Sequence, residues 1–199
     1  MQLLVATTNA HKLTEIRSLL AGLDVALLTL NDFPDLTTPD ETCDTFAANA
    51  RSKALHYAAA TDQLAVADDS GLEIDGLNGE PGVQSARFNG NSYPDKFRAV
   101  YARLAAAGRL GCRARFVCAL AVVRGSEILF ETRGTVEGRI AEAPSGTAGF
   151  GYDPIFLYPP YGKTLADVSS KEKAAVSHRG QAVRALRTYL TSGAALRGT

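Results

Sequence analysis

The chain has 199 residues, 46% of them hydrophobic and 21% charged, which suits one globular domain able to bury a sizeable core and excludes a disordered chain. Lys plus Arg and Asp plus Glu number 21 each, so no net positive field exists to hold duplex nucleic acid, and any polyanion must be small and met locally. Six of the cations are lysines, at 12, 53, 96, 163, 171 and 173, few enough to follow individually.

The first apolar run, Leu3 to Ala6, reads as a strand; it lacks a basic flank and is too short for a signal peptide or a membrane span. It breaks at Thr7-Thr8-Asn9-Ala10-His11-Lys12, after which Leu13, Ile16, Leu19 and Leu20 form a helical stripe. A strand, a polar turn and a helix make a common anion site in α/β proteins, because free N–H groups and the positive end of the helix dipole converge there. The plain alternative is a helix cap by Thr8 or Asn9. Lys12 weighs against a cap alone, since a cation in the first turn opposes the dipole unless an anion sits beside it. The segment carries neither a P-loop nor a dinucleotide-binding fingerprint.

Val25 to Leu30 reads as a second strand, followed by an acidic, Pro-punctuated segment containing Asp40 and Glu41. A helix is expected from about Thr42 to Ala60, with Phe46, Ala50, Ala54 or Leu55, and Ala58 inward. Lys53 lies on it, where lysines are ordinarily solvated. The apolar run Leu64 to Ala67 then reads as a buried strand ending in Asp68-Asp69-Ser70-Gly71. Two carboxylates at a buried strand end need a neutraliser. A divalent cation is a natural one, and Mg²⁺ favours one or two carboxylates together with substrate phosphates. A solvated loop beginning at Asp68 is the simpler possibility.

Leu72 to Leu77 alternates apolar and acidic residues, and Asn78 to Val83 reads as turns. Pro94 opens a helix with Phe97, Val100, Tyr101 and Leu104 on one face, ending at Gly108. Arg113 to Arg124 is the longest strand signal, apolar on both faces, and Gly125-Ser126 fits a hairpin turn into Glu127 and onward to Ile140, which predicts a mixed sheet. In the glycine-rich stretch Pro144 to Pro154, Phe150 or Tyr152 could stack on a base, or pack back on the core. Ser169 and Glu172 have capping-box spacing, Lys173 follows, and Ser177 can cap a last helix opened by His178 and Arg179. Cys43, Cys112 and Cys118 are odd in number and lack metal-ligand spacing, which points to a reduced, cytoplasmic protein.

Four separated segments, Thr7-Thr8-Asn9-x-x-Lys12, Ala67-Asp68-Asp69-Ser70-Gly71-Leu72, Gly149-Phe150-Gly151-Tyr152-Asp153-Pro154 and Ser177-His178-Arg179-Gly180-Gln181-Ala182, together resemble the inosine triphosphate pyrophosphatase family. Asp40-Glu41-Thr42 with Thr45-Phe46-x-x-Asn49-Ala50, and Glu80-Pro81-Gly82 with Ser85-Ala86-Arg87, also look like that family, so the resemblance spans nearly the whole chain. It implies a single two-lobed α/β domain over 1–199, with a long mixed β-sheet flanked by helices and a central nucleotide cleft. It further implies a Mg²⁺-dependent enzyme, usually a homodimer, that cleaves ITP, dITP and XTP to monophosphate and pyrophosphate. By position, Thr7, Thr8, Asn9, Ala10, His11 and Lys12 would hold the triphosphate, with Lys53 and Ser70 as further substrate contacts. Phe150, Gly151, Tyr152, Asp153, Lys173, His178 and Arg179 would form the nucleoside pocket. Asp69 would be general base and metal ligand, joined at the metal by Asp40, Glu41 or Asp68. The family often has Gly where this chain has Thr8, and Glu where it has Asp40. Two other readings are a Maf-type nucleotide pyrophosphatase and a nucleotide-binding regulatory module without turnover.

Overall fold

The computed structural model describes residues 1–90 and 92–192; Asn91 and 193–199, the latter the end of the expected domain, lie outside the described residues. Seven strands form one sheet in the order β2-β1-β3-β4-β5-β6-β7. The ranges are β1 Gln2–Val5, β2 Ala26–Thr29, β3 Ala65–Ile74, β4 Arg113–Arg124, β5 Glu127–Ile140, β6 Phe156–Tyr158 and β7 Lys163–Thr164. Among the described residues five α-helices accompany them: α1 Ala10–Leu20, α2 Phe46–Thr61, α3 Tyr93–Ala106, α4 Ser170–Val176 and α5 His178–Thr191. β1 pairs in parallel with both β2 and β3, whereas β6 pairs antiparallel with β5 and β7, so the sheet is mixed as expected. Gly125, at φ 56°, supplies the left-handed position that the two-residue hairpin from β4 to β5 requires.

The chain divides into two compact units, each with its own core. The first comprises 1–69, 118–134 and the described residues from Arg179 on. Here alternate residues of β1 and β3 (Leu3, Val5, Leu64, Val66) meet Ile16 and Leu20 of α1 and Val183, Leu186 and Leu190 of α5. These positions carry the period of two for strands and of three to four for helices. The second comprises 70–117 and 135–178, with Leu72, Ile74, Val100, Leu104, Phe116, Ile140, Ile155 and Phe156 at its centre.

Three expectations need correction. β3 does not stop at the carboxylates but continues through Asp68-Asp69-Ser70-Gly71 to Ile74. Gly71 lets it do so: a Cβ there would stand 2.6 Å from the Gly82 carbonyl oxygen. The second helix starts at Phe46, not near Thr42, because Thr45 caps it by accepting from Ala48 N, while the Asn49 side chain binds the Cys43 N–H at 3.0 Å and keeps that residue outside the helix. Tyr152 is 3% exposed and belongs to the second core, so it offers no face to a base. β6 and β7 were not foreseen. The capping box at Ser169 and Glu172 is present, and no helix among the described residues is long and apolar enough to cross a membrane.

Candidate active site

The site is built first from the turn between β1 and α1. Asn9 caps α1, its Oδ1 accepting from His11 N at 3.0 Å and Lys12 N at 3.2 Å, while Thr7 Oγ1 accepts from Asn9 N at 3.2 Å. Two of the N–H groups that an anion could have used are therefore satisfied within the chain. Lys12 nevertheless has the anion its position demands: its Nζ lies 3.0 Å from Asp68 Oδ2. A neighbouring cavity of about 270 Å³, lined by Thr8, Asn31, Thr38 and Tyr57 among apolar residues, holds no charged residue.

Asp68 is enclosed by cations. The Arg179 guanidinium, 2% exposed, reaches the same Oδ2 from Nε at 3.4 Å and Nη2 at 3.3 Å, and its Nη1 donates to Glu15 at 2.8 Å. Burial pushes the Asp68 carboxyl up, but Lys12, Arg179 and Lys53 outweigh it and hold the group well below the usual carboxylate range. Its other oxygen, Oδ1, has no hydrogen-bond partner among the described residues. Cys118 sits 3.8 Å from Oδ2, and burial together with that carboxylate pushes its thiol up to about 12, so it stays neutral.

Asp69, one residue on, meets different neighbours. Its Oδ2 accepts from Asn49 Nδ2 at 3.0 Å, and its Oδ1 stands 4.0 Å from Lys53 Nζ. Burial raises its pKa, Lys53 and Asn49 oppose that, and the nearby Glu41 adds to it; the net shift is upward. Lys53 also donates to Glu41 Oε1 at 2.5 Å and to the Asp68 carbonyl at 2.7 Å. Burial lowers its pKa, but Asp68, Asp69 and Glu41 together carry it above the ordinary lysine value, so it is a cation. Far from being a solvated helix lysine, Lys53 joins the two acidic segments.

A second polar group lies in the other unit. Asp153 is 2% exposed, and its Oδ2 accepts from Lys173 Nζ at 2.7 Å and from Phe150 N at 2.8 Å. Gly149, at φ 71°, is obligatory in this turn, because a Cβ there would collide with the Asp153 carboxylate. Lys173 Nζ stands 4.4 Å from the centroid of the half-buried Phe150 ring, close enough for a cation–π contact. His178 stacks on Phe116, with centroids 4.8 Å apart and planes 12° off parallel.

The structure therefore sorts the expected residues into two sets. Lys12, Glu41, Lys53, Asp68, Asp69 and Arg179 come together in the first unit; Phe150, Asp153 and Lys173 come together in the second, with Gly151 in the same turn. Arg179, expected with the nucleoside pocket, is instead committed to Asp68 and Glu15. Asp40, Thr8, Asn9, Ala10 and His11 are exposed and Ser70 is half-buried. Asn49 lies in the segment Thr45-Phe46-x-x-Asn49-Ala50 that carried the resemblance, but no role was expected of it; Glu15 was not foreseen and carried no signal.

Paired buried carboxylates beside two half-buried lysines on a mixed α/β sheet supply the charged groups that enzymes acting on phosphates use. Residues 3–189 match the model of the Ham1 family, and the chain belongs to that family. It is 45% identical to a dITP/XTP pyrophosphatase of an Exiguobacterium species, over 94% of this chain and 95% of that protein. It is 46% identical to one from Thermus thermophilus, over 94% and 90%. A solved HAM1 protein from Coxiella burnetii superposes with a TM-score of 0.90 at 38% identity, covering 96% of this chain and 99% of the other.

Proposed function

We propose that this protein hydrolyses non-standard purine nucleoside triphosphates (ITP, dITP and XTP) between the α and β phosphorus, releasing the nucleoside monophosphate and pyrophosphate. The observation that carries the reading is a buried carboxylate, Asp69, held by the Asn49 amide at 3.0 Å and standing 4.0 Å from Lys53 Nζ, in a chain whose relatives are dITP/XTP pyrophosphatases. A carboxylate fixed in this way can accept a proton from water. Asp69 takes a proton from the attacking water, while Lys53 and Lys12 meet the charge that develops as pyrophosphate leaves. Asp68, already neutralised by Lys12 and Arg179, positions Lys12 and does not act as a second base.

The resemblance implies Mg²⁺, an ion that takes one or two carboxylates and completes its shell with phosphate and water; among the described residues no three His, Cys, Asp or Glu side chains group to hold a metal unaided. Asp69 and Glu41 both lie within 4.0 Å of Lys53 Nζ and are the carboxylates that would hold it; Asp40 is exposed. Bound there, Mg²⁺ would neutralise phosphate charge and acidify water. Phe150, Asp153 and Lys173 are proposed to bind the base, and the three unpaired cysteines support a cytoplasmic setting. The homodimer rests on the resemblance, and light scattering would establish it.

The test is a panel of ITP, dITP, XTP, ATP, GTP and pyrimidine triphosphates with Mg²⁺ and product identification. Monophosphate with pyrophosphate from the first three is expected; diphosphate with orthophosphate, or no turnover at all, overturns the proposal. Asp69→Asn should lose ~10²–10⁴-fold in kcat with its thermal transition preserved, since the amide cannot take the proton.

A further inference from the structure

We propose that Lys96 is a positioning residue for base selection: by holding the Ala86 carbonyl it fixes the turn to which Tyr152, and through it the Phe150–Asp153–Lys173 group, is tied. The inference rests on the base-binding role proposed above for that group.

Lys96, on α3, is 1% exposed, and among the described residues it has no carboxylate partner. Its Nζ donates to Ala86 O at 2.6 Å and stands 5.6 Å from the centroid of the Tyr93 ring. A buried ammonium is costly, and burial accordingly lowers its pKa. Methionine or leucine would fill the same volume without that cost. What the lysine adds is its bond to a backbone carbonyl.

The carbonyl belongs to a turn that is fixed at several points. Ser85 Oγ accepts from Leu72 N at 2.9 Å and donates to Gly82 O at 2.6 Å. The Ser85 carbonyl accepts the Tyr152 hydroxyl at 3.0 Å. Two consecutive carbonyls are thus held, one by Lys96 and one by Tyr152. Lys96 also meets Tyr152 through a ring: Tyr93 lies edge-to-face on Tyr152, centroids 5.5 Å apart at 88°. The residue after Tyr152 is Asp153, whose carboxylate receives both Lys173 and Phe150 N. A displacement of the Ser85-Ala86 carbonyls is therefore passed through the Tyr152 hydroxyl to the group that meets the base. Specificity of this kind depends on donors held to a fraction of an ångström, and is lost when their support loosens.

The experiment compares kcat/KM for ITP and ATP in wild type, Lys96→Met, Tyr152→Phe and Lys173→Met, each with its Tm. Lys96→Met should lower the ITP-over-ATP ratio at least tenfold while its Tm is unchanged or higher, because the buried charge is gone. Tyr152→Phe, which removes only the hydroxyl, should lower the ratio similarly, and the double variant should fall no further than either single. A changed Tm with an unchanged ratio in Lys96→Met makes the lysine merely structural and overturns the inference. Should Lys96→Met fail to fold, an unchanged ratio in Tyr152→Phe overturns it instead. Lys173→Met separates the two levels: if it leaves the ratio intact, the base-binding reading falls and the inference with it. If Lys173→Met lowers the ratio while Lys96→Met and Tyr152→Phe do not, only the inference falls.

Discussion

Asp68 and Asp69 are consecutive in one strand, so their side chains leave it on opposite faces, and the two faces give them opposite chemistry. Asp68 meets Lys12 and Arg179 and is held ionised; the pKa of Asp69 rises because burial, aided by Glu41, outweighs Lys53 and the Asn49 amide. The sequence flagged the pair and asked for a neutraliser, and for Asp68 the neutraliser is internal. Removing that carboxylate would leave Lys12 and Arg179 without their shared partner, so Asp68→Asn should cost about 3 kcal/mol of stability at neutral pH. The pH dependence has a definite sign. The folded pKa of Asp68 lies below its ordinary value of 3.8, so its contribution is fully present above that value and is lost as pH falls through the folded pKa. Urea titrations of both proteins should show the gap widest at neutral pH and closing below about pH 4. A gap that stays constant down to strongly acid pH would show that Asp68 is not the ionised partner described.

At the level of elements, the strands and helices with long periodic signals were legible in the sequence. β4, β5 and their hairpin turn fall where the apolar run and Gly125-Ser126 put them, and α4 begins at its capping box. The errors share a cause: local signals stood in for partners distant in the chain. Asp-Asp looked like a strand end because its neutralisers, Lys12 and Arg179, lie 56 residues before and 111 after Asp68. β6 and β7, of three and two residues, are too short to carry a period of their own. Arg179 is expected with the base residues only through the resemblance, which carries it there together with His178, but the start of α5 sends the two side chains to different neighbours. The middle of β3 offers a direct check. At Gly71 a Cβ would lie 2.6 Å from the Gly82 carbonyl oxygen, a backbone atom that cannot step aside cheaply. Gly71→Ala should therefore destabilise by ~1–3 kcal/mol, as overpacking does, read as a lower urea midpoint at unchanged m. Wild-type stability in that variant would mean the Gly82–Ser85 turn is not packed on β3 as described.

For the molecule as a whole, formal charge balances at 21 against 21, and cations stand beside the carboxylates of both polar groups, with Asp69 sharing Lys53 with Glu41. Asp68 is met by Lys12 and Arg179, Glu41 by Lys53, and Asp153 by Lys173. No set of three metal-binding side chains is present among the described residues. The fold is therefore expected to stand without a divalent cation, in contrast to small metal-dependent domains whose apo forms unfold. Chelation should separate turnover from folding. In EDTA, turnover of added ITP should vanish, while Tm without nucleotide should stay within about 2 °C of its value in Mg²⁺. A cation bound near its Kd adds only ~0.4 kcal/mol, and a chain of this size shifts by about 2–4 °C per kcal/mol. Readdition of Mg²⁺ should restore the rate without refolding. Nucleotide and Mg²⁺ together should raise Tm further than either alone, because phosphate oxygens complete the metal's shell. A fall in Tm of more than about 5 °C on chelation alone would make the cation part of the fold, and Lys12, Lys53 and Arg179 would then not suffice to neutralise the buried carboxylates.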